Sequence, residues 1–349
     1  MEVAIGTVIT AIIANPVLGL IILLCLGGTI VNGATDAPNA IATVVGSKAM
    51  RPTPAIIMAA ICNFIGLVGI TAISTAVAST IFGMVDFGGD NHAALVALAA
   101  AMVAIIVWGV VAWYFGIPTS QSHSLIAGIT GAAIALQGGF AGVNPDQWIK
   151  VIYGILVSTC LGFGCGWLFI RLLKISCAGL NRAKANRFFK WAQIAAGAGV
   201  AVLHGAQDGQ KFLSLCMLGI MLGVYGSADI ESFPLWMVIL VSLVMSLGTA
   251  VGGKKIIKSV GMNMVKLDQA QGFCACLSAC FCIGLATFTG MPVSTTHTKT
   301  TAIMGVGAEK RFRAVKWNLA GTMVLTWLLT FPGCGLLAYV FTYLFLAIM

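Results

Sequence analysis

Long uninterrupted apolar runs dominate the sequence and restrict its fold more than any other feature. A helix of about 20 residues can cross the hydrocarbon core of a bilayer, and ten runs approach or exceed that length. They cover residues 17–47, 53–81, 93–115, 118–139, 148–171, 191–225, 235–252, 271–289, 292–309 and 317–347. The runs lack the alternation of barrel strands, and a backbone in lipid must satisfy its own hydrogen bonds. The sequence therefore predicts an all-α polytopic membrane protein embedded in a lipid bilayer.

Charged residues make up only 8% of the chain, and the basic ones lie in every second connector between the runs. Basic connectors lie near residues 48–51, 171–190, 254–266 and 310–316, whereas those between them are acidic or neutral. Basic connectors of membrane proteins face the cytoplasm, so both termini are predicted outside, in a protein of the cell (plasma) membrane. The net charge of +9 resides in these connectors, and nucleic acid is therefore not an expected partner.

Two unrelated phrases each occur twice, in the same order. NGATDAPN at 32–39 resembles HGAQDGQK at 204–211, and PTSQSH at 118–123 resembles PVSTTH at 292–297. The aspartate precedes the proline phrase by 82 residues in the first half and by 84 in the second. The chain is therefore interpreted as two copies of a five-crossing unit, residues 17–171 and 191–347, joined by a basic cytoplasmic linker at 172–190.

An odd number of crossings in each copy fixes how the copies are related. The second copy must enter the bilayer with the polarity opposite to that of the first. Inverted-topology repeats are typical of secondary transporters, whose binding sites lie near the bilayer midplane and use broken helices. The sequence thus predicts two inverted repeats with broken helices or re-entrant hairpins at the midplane, and a substrate site between the repeats.

Both proline phrases predict the start of a helix, because proline suits the first turn and disfavours helix in the residue before it. A helix start offers free N–H groups and a partial positive charge, which together attract anions. The candidate anion-binding residues are Thr119, Ser120, Gln121, Ser122, Ser294, Thr295 and Thr296. The alternative is that these residues only cap helices and join them, since Ser and Thr are common between membrane helices.

Two acids, Asp36 and Asp208, lie within apolar segments, where a buried charge is expensive and usually functional. Beside an anion site they require a cation, either sodium or a proton, and oxygen-rich surroundings suit a hard cation. The candidate cation-binding residues are Asp36, Asn32, Asn39, Asp208 and Gln207, with sodium expected at both aspartates. For Asp208 the alternative is a structural pair with Lys211, three residues later on the same helical face.

Each proline phrase ends in a histidine, His123 or His297. Near-neutral titration would suit these residues as proton carriers, and the alternative is that they brace the helix starts. Ser122 and His123 also leave an intramembrane hydrolase as another class of function. Neighbouring helical residues do not face each other, and a duplicated phrase argues against a single nucleophile. We therefore expect no enzyme and no catalytic residue.

The phrases NGATDAPNAIATVVGSK, HGAQDGQKF, PTSQSH and PVSTTH together resemble the inorganic phosphate transporter (PiT) family. The resemblance covers roughly residues 27–320 and includes two inverted repeats, each with a G-x-N-D-like segment and a P-x-S-x-x-H-like hairpin start. It implies symport of phosphate with sodium or protons, often by a homodimer, without a cofactor, and with phosphate held at the hairpin starts. This chain departs from the family pattern at Thr35 and Gln207, where asparagine is frequent, and at Gln121, where the family has threonine or an acid.

Sodium is the favoured coupling ion, because several neutral oxygens surround Asp36 in the sequence. Asn32, Thr35 and Asn39 could complete a cation shell there, whereas a proton needs no such shell. The sequence therefore predicts a transporter that imports phosphate with sodium. Proton-coupled symport of phosphate or metal-phosphate, and a passive anion channel, remain the alternatives.

Overall fold

Helices form almost all of the described chain, as the apolar runs predict. A computed structural model describes residues 3–115, 119–179, 181–226, 232–252 and 267–349. Within these ranges there is no strand, and the extended backbone contributes one isolated bridge between Val85 and Val143. Pro118, Asp229, Glu231 and the basic connector at 254–266, for which the sequence predicts roles, lie outside the described residues.

In the first half of the chain, one long helix is broken at Asp36, and two later helices are joined end to end by a π-helical turn. Its helices are α1 (Ile5–Ala14), α2 (Pro16–Thr35), α3 (Ala37–Gly46), α4 (Pro52–Thr71), α5 (Ala76–Phe82), α6 (Asn91–Phe115), α7 (Gln121–Gln137), α8 (Pro145–Leu156) and α9 (Gly162–Ser176). A π-helical turn, Val157–Leu161, joins α8 to α9 without a break in direction. The predicted crossing 53–81 is thus two helices, α4 and α5.

The second half begins with the longest helix. Its helices are α10 (Arg182–Ile220), α11 (Leu235–Val251), α12 (Gln269–Phe288), α13 (Thr295–Lys310) and α14 (Trp317–Ile348). A second π-helical turn, Met221–Tyr225, extends α10. The predicted linker at 172–190 is largely taken up by the end of α9 and the start of α10.

Six helical segments of the described chain are long and apolar enough to cross a membrane. They are Pro16–Gly46, Pro52–Thr71, Asn91–Phe115, Pro145–Ser176, Gln269–Phe288 and Ala320–Ile348. The prediction of an all-α polytopic membrane protein is confirmed. The helices α7 and α13 are absent from this set because they are shorter, with 17 and 16 residues.

The helices α7 and α13 are arms of two hairpins, α6–α7 and α12–α13, whose tips meet inside the protein. Along α14, Trp327 contacts His297 at the start of α13, and Phe331 contacts His123 at the start of α7. Farther along α14, Gly335 contacts Gly131 of α7. The two arms therefore run in opposite directions, and each follows only part of α14. The predicted crossings 118–139 and 292–309 are thus the second arms of two hairpins. That these hairpins are re-entrant stays a prediction.

The predicted inversion needs an odd number of crossings in each copy. If both hairpins are re-entrant, the crossings of the first copy are α2–α3, α4–α5 and α8–α9, and those of the second are α10, α11 and α14. The requirement for opposite polarity of the copies would then be unchanged. The inverted arrangement in the membrane stays a prediction.

The two copies interleave, and their close backbone contacts correspond under the repeat. A side chain at any of four glycines would collide with the backbone of the other copy. The contacts are Gly66 with Val202, Gly248 with Ile30, Gly131 with Gly335, and Gly305 with Phe163. Positions 30 and 202, and likewise 163 and 335, differ by the same 172 residues as the aspartates. Because each copy packs mainly on the other, the predicted boundaries delimit sequence units that share one core.

The helix ends separate into a mainly basic end and a mainly acidic end. Lys174 of α9 forms an ion pair with Glu309 in the last turn of α13, which places the basic connectors that follow these two helices at the same end. At the other end, the backbone N–H of Asp86 donates to the carbonyl of Gly142, so the α5–α6 and α7–α8 connectors lie side by side. This separation agrees with the alternation used to predict sidedness. The sidedness itself remains a prediction.

Candidate functional site

Each hairpin tip ends in a buried serine that caps the following helix. The Oγ of Ser120 accepts a hydrogen bond from the N–H of His123, and the Oγ of Ser294 accepts one from the N–H of His297, both at 3.2 Å. Such caps satisfy one of the free N–H groups of a helix start. The predicted helix starts are confirmed. The serines at both caps and Thr119 are buried.

The first aspartate lies where a helix is broken. The helix α2 ends at Thr35 and α3 begins at Ala37, with Pro38 in its first turn. Proline lacks the N–H that would continue the helical hydrogen bonds, which accounts for the break. Asp36 is buried between them. Its Oδ2 accepts a hydrogen bond from the N–H of Gln121 at 3.3 Å, and its carboxylate also interacts with the Thr296 hydroxyl.

Two asparagines beside Asp36 have unused oxygen atoms. The Nδ2 of Asn39 donates to Thr296 Oγ1 at 2.8 Å. The Oδ1 of Asn39 and both amide atoms of Asn32 are buried and have no hydrogen-bond partner within the described ranges. Buried polar atoms without partners are rare because each costs about 1–3 kcal/mol. These oxygens, next to a carboxylate, form a set of ligands suited to a hard cation.

The second aspartate lies on the uninterrupted helix α10 and has a charged partner. Asp208 Oδ1 accepts from the Nζ of Lys211 at 2.7 Å and from the Oγ of Ser122 at 3.4 Å. Its Oδ2 accepts from the Oγ1 of Thr295 at 3.1 Å and lies 3.2 Å from the Nε2 of His204. The structure thus contains the Asp208–Lys211 pair that was the alternative to a cation site.

Gln207 faces the second hairpin. Its Nε2 donates to the Oγ1 of Thr287 at 3.3 Å and to the carbonyl of Met291 at 3.2 Å. Its Oε1 is buried and has no hydrogen-bond partner among the described residues. The side chain therefore stands at the tip of the second hairpin, with an oxygen that a cation or a donor could still use.

Each aspartate joins both hairpin tips, and the two sets of contacts correspond under the repeat. Asp36 contacts Gln121 and Thr296, while Asp208 contacts Thr295 and Ser122. In the repeated phrases Gln121 aligns with Thr295, and Ser122 aligns with Thr296. The structure therefore brings the two sequence motifs of each copy together in one buried cluster.

The hairpin histidines pack against each other and against aromatic rings of α14. The rings of His123 and His297 lie 4.3 Å apart, the His297 ring stacks on Trp327 at 3.6 Å, and the His123 ring lies 4.5 Å from Phe331. These contacts brace the two helix starts. Trp327 and Phe331 were missed from the sequence, because nothing in the apolar pattern of α14 distinguishes them.

Two further buried groups are not among the candidate residues predicted from the sequence. The carbonyl oxygen of Val293 accepts from Lys211 Nζ at 2.6 Å, and only its place just before the Ser294 cap could have drawn attention to it. Lys299 is buried in α13. Its Nζ lies 2.9 Å from the Sγ of Cys276 in α12, so it contacts the other arm of its own hairpin.

The candidate residues within the described part of the chain are buried. Thr119, at 5%, is the most exposed of them. A cavity of about 520 Å³ opens at the acidic end and is lined by Asp86, Asn91 and Leu222 among others, but by none of the candidate residues. A ligand held by these residues would therefore be shielded from solvent.

Comparison with known proteins gives a consistent result for the whole length of the chain. A family model described as "Phosphate transporter family" matches residues 32–181 and 176–338. A Bacillus subtilis (strain 168) protein described as "Probable low-affinity inorganic phosphate transporter" is 36% identical over 324 residues, covering 92% of this chain and 95% of that protein. A protein of Rhizobium meliloti (strain 1021) with the same description is 34% identical over 330 residues, covering 94% and 96%.

A solved structure is similar to this chain over almost its entire length. It is described as "The sodium-dependent phosphate transporter" and aligns with a TM-score of 0.85, covering 96% of this chain and 100% of that one. The two sequences are 21% identical. At that identity the similarity shows the shared helical fold, and it leaves the coupling ion to be argued from the residues themselves.

Proposed function

The chain belongs to the phosphate transporter family, and from that premise we propose that it imports inorganic phosphate into the cell by symport with sodium. The family and its relatives are transporters and not enzymes. The resemblance to a phosphate transporter family seen in the sequence is therefore confirmed. Sodium coupling, the residues that bind each ion, the cell membrane as location and the homodimer belong to the proposal.

Phosphate binds between the two hairpin tips in this proposal. Two helix starts, with their partial positive charges and first-turn donors, face the same buried volume. Ser120 and Ser294 are engaged as caps, so the proposed ligands are the first-turn groups of Gln121, Ser122, Thr295 and Thr296, with Thr119 beside them. The three hydroxyls now contact the aspartates and would donate to phosphate instead when it binds. The Nε2 of Gln121 is a buried donor without a partner within the described ranges and lies against Gly109 of α6, so Gln121 would offer phosphate its backbone rather than this atom.

Sodium binds at Asp36, and one observation carries this assignment. The carboxylate has beside it the unpartnered amide oxygens of Asn32 and Asn39. Sodium would be coordinated by all of them, since carboxylate and amide oxygens suit hard cations. A proton on Asp36 would neutralise the carboxylate but leave the amide oxygens without partners. The oxygen atoms therefore favour sodium.

Coupling follows from charge in the buried cluster. Asp208 and Lys211 form a neutral pair, whereas no basic side chain within the described ranges forms an ion pair with Asp36. A phosphate anion about 4 Å from a bare Asp36 would be repelled by about 4 kcal/mol at an effective dielectric constant near 20. Sodium on Asp36 removes this repulsion, so phosphate binds well only when sodium is present. The closed cluster would then carry the two ions together.

The hydrolase alternative does not fit the geometry of Ser122 and His123. The Oγ of Ser122 contacts Lys211 Nζ at 2.6 Å, whereas the His123 ring packs on Phe331. The histidine is therefore turned away from the hydroxyl that it would have to activate. Family membership excludes an enzyme independently.

The test is phosphate uptake into proteoliposomes, with sodium and pH gradients imposed separately. A sodium gradient alone is expected to accumulate phosphate above its equilibrium distribution, and replacing sodium with potassium should remove the accumulation. Accumulation driven by a pH gradient and indifferent to sodium would make Asp36 a proton site. Equilibration without accumulation under either gradient would make the protein a passive channel.

A further inference from the structure

Lys211 is a buried lysine whose charged end is held entirely by protein oxygens. Its side chain is 1% exposed. The Nζ donates to Asp208 Oδ1 at 2.7 Å, to Ser122 Oγ at 2.6 Å and to the carbonyl of Val293 at 2.6 Å. These three acceptors belong to α10 and to the tips of both hairpins. The ammonium group therefore occupies the point where three elements of the site converge.

The repeat aligns Lys211 with Asn39 of the first copy. Both residues follow the aspartate of their copy by three positions. Their contacts correspond as well, because Asn39 Nδ2 donates to Thr296 and Lys211 Nζ donates to Ser122, the residue that aligns with Thr296. The two side chains therefore stand at equivalent places beside equivalent carboxylates. Asn39 is a neutral amide whose Oδ1 has no hydrogen-bond partner within the described ranges, whereas Lys211 carries a full positive charge.

The ammonium is placed like a bound cation and unlike a phosphate ligand. A lysine ammonium has three N–H donors, and protein oxygens take all three. A carboxylate, a hydroxyl and a backbone carbonyl are also the oxygen types that bind a hard cation. A sodium ion could not share this position with the ammonium, because the two would be in contact and carry the same charge.

We propose that Lys211 is a tethered substitute for a second coupling cation, so that this transporter uses a single sodium site, at Asp36. The inference rests on the proposed sodium symport and replaces the expectation of sodium at Asp208. It follows that removal of the lysine, with the carboxylate kept, should open a second sodium site. Lys211→Asn restores the side chain that the first copy has at this position, beside Asp208, Ser122 and the Val293 carbonyl.

The experiment compares wild-type protein, Lys211→Asn and the control Lys184→Asn, which changes an exposed lysine on the same helix. Initial phosphate uptake into proteoliposomes is measured against external sodium, at fixed pH and clamped membrane potential. Sodium bound per protein is measured by titration calorimetry in the presence of phosphate. The wild type and the control should give a Hill coefficient of about 1 and one bound sodium, and Lys211→Asn a coefficient of between about 1 and 2 and two bound sodium ions.

The outcomes separate this inference from the proposed function. Wild-type uptake that ignores sodium would overturn the symport proposal. Sodium-driven wild-type uptake with two bound sodium ions would leave symport standing and overturn the role of Lys211. The same holds if folded Lys211→Asn binds only one sodium ion. The wild-type stoichiometry decides the question even where the variant does not fold.

Discussion

Asp36 and Asp208 contact equivalent residues of the two hairpin tips, but the backbone and the other side chains around them differ. Both aspartates touch both hairpin tips through aligned residues. Around Asp36, however, the helix is broken and the neighbouring amides have free oxygens, whereas Asp208 sits on a continuous helix beside Lys211. Pro38 aligns with Gln210, which accounts for the difference in the backbone. In the proposal, the Asp36 half of the cluster accepts a cation, whereas the Asp208 half already contains the ammonium group of Lys211.

The packing positions of the two copies changed less than these ligand positions. Gly66 and Gly248 correspond, as do Gly131 and Gly305, because at each of them any side chain would meet the backbone of the other copy. Such a contact is lost by almost any substitution. An amide beside a carboxylate can instead be exchanged for a lysine while the local charge stays balanced. The duplicated fold therefore allows the residues beside one aspartate to differ from those beside the other.

The comparison of Asp36 with Asp208 assumes that the two halves of the chain have opposite orientations in the membrane. A test of this topology therefore has the largest expected effect. A reporter cysteine at Asn186 should react only with reagent on the cytoplasmic side, and one at Asp229 only with reagent outside. The measurement is labelling of intact and permeabilised cells in a background without reactive native cysteines. Labelling of both positions from one side would mean that the segment between them does not cross, and inversion would be excluded.

Removal of the Asp36 charge should abolish sodium-driven uptake. In Asp36→Asn the charge that balances sodium is lost, and no second carboxylate is free to replace it, because Asp208 is already paired with Lys211. Uptake of labelled phosphate into proteoliposomes under a sodium gradient is the measurement. The control Asp146→Asn changes an exposed acid in the first turn of α8 and should transport normally. Sodium-driven uptake preserved in Asp36→Asn would remove this residue from the coupling site.

Much of this arrangement could be predicted from the sequence. The recurrence of Asp36 and Asp208, and of the serines that begin α7 and α13, was sufficient to predict that these residues act together. An acid within an apolar membrane segment is costly, and such residues are usually retained for function. Proline and the hydroxyl caps marked the helix starts because their preferences are local.

The remainder depends on which surfaces pack together, and local preferences do not encode that. Apolar runs of similar length formed separate long helices in one place and the arms of buried hairpins in another. The interleaving of the two copies likewise depends on contacts between residues far apart in the chain, such as Gly131 with Gly335. The Asp208–Lys211 pair was foreseeable from spacing alone, but the Val293 carbonyl that completes its shell was not.

The free energy of unfolding should fall when Asp208 is neutralised, and it should stay the same or rise when Asp36 is neutralised. Asp208→Asn leaves the buried Lys211 charge without its acid, which typically costs about 3–5 kcal/mol. The double variant Asp208→Asn, Lys211→Met removes both charges and should recover much of that loss. Asp36→Asn removes a carboxylate with no paired cation, so without sodium it should unfold at the same temperature as wild type or higher. Thermal unfolding of the purified variants in sodium-free detergent is the measurement.

If Asp208→Asn and the double variant lose the same free energy of unfolding, the buried charge of Lys211 does not need Asp208 as its partner. A large loss in Asp36→Asn without sodium would show that Asp36 has a structural partner. Either outcome would remove the electrostatic difference between the two halves.

Removal of a hairpin hydroxyl should have the smallest effect of these changes, and it compares the two hairpin tips residue by residue. Ser122→Ala and Thr296→Ala each remove one donor to the anion, worth about 1–3 kcal/mol, or roughly tenfold to a hundredfold in phosphate affinity. Thr296 also contacts Asn39 and Asp36, so its loss should additionally raise the half-saturating sodium concentration, whereas Ser122→Ala should leave that concentration unchanged. Uptake is measured over a matrix of phosphate and sodium concentrations, with Thr322→Ala on the exposed face of α14 as control.

An unchanged phosphate KM in both variants would take the hydroxyls out of the site. An equal rise in half-saturating sodium for both would mean that each tip serves the Asp36 cation, and that the two halves are less distinct than their charges indicate.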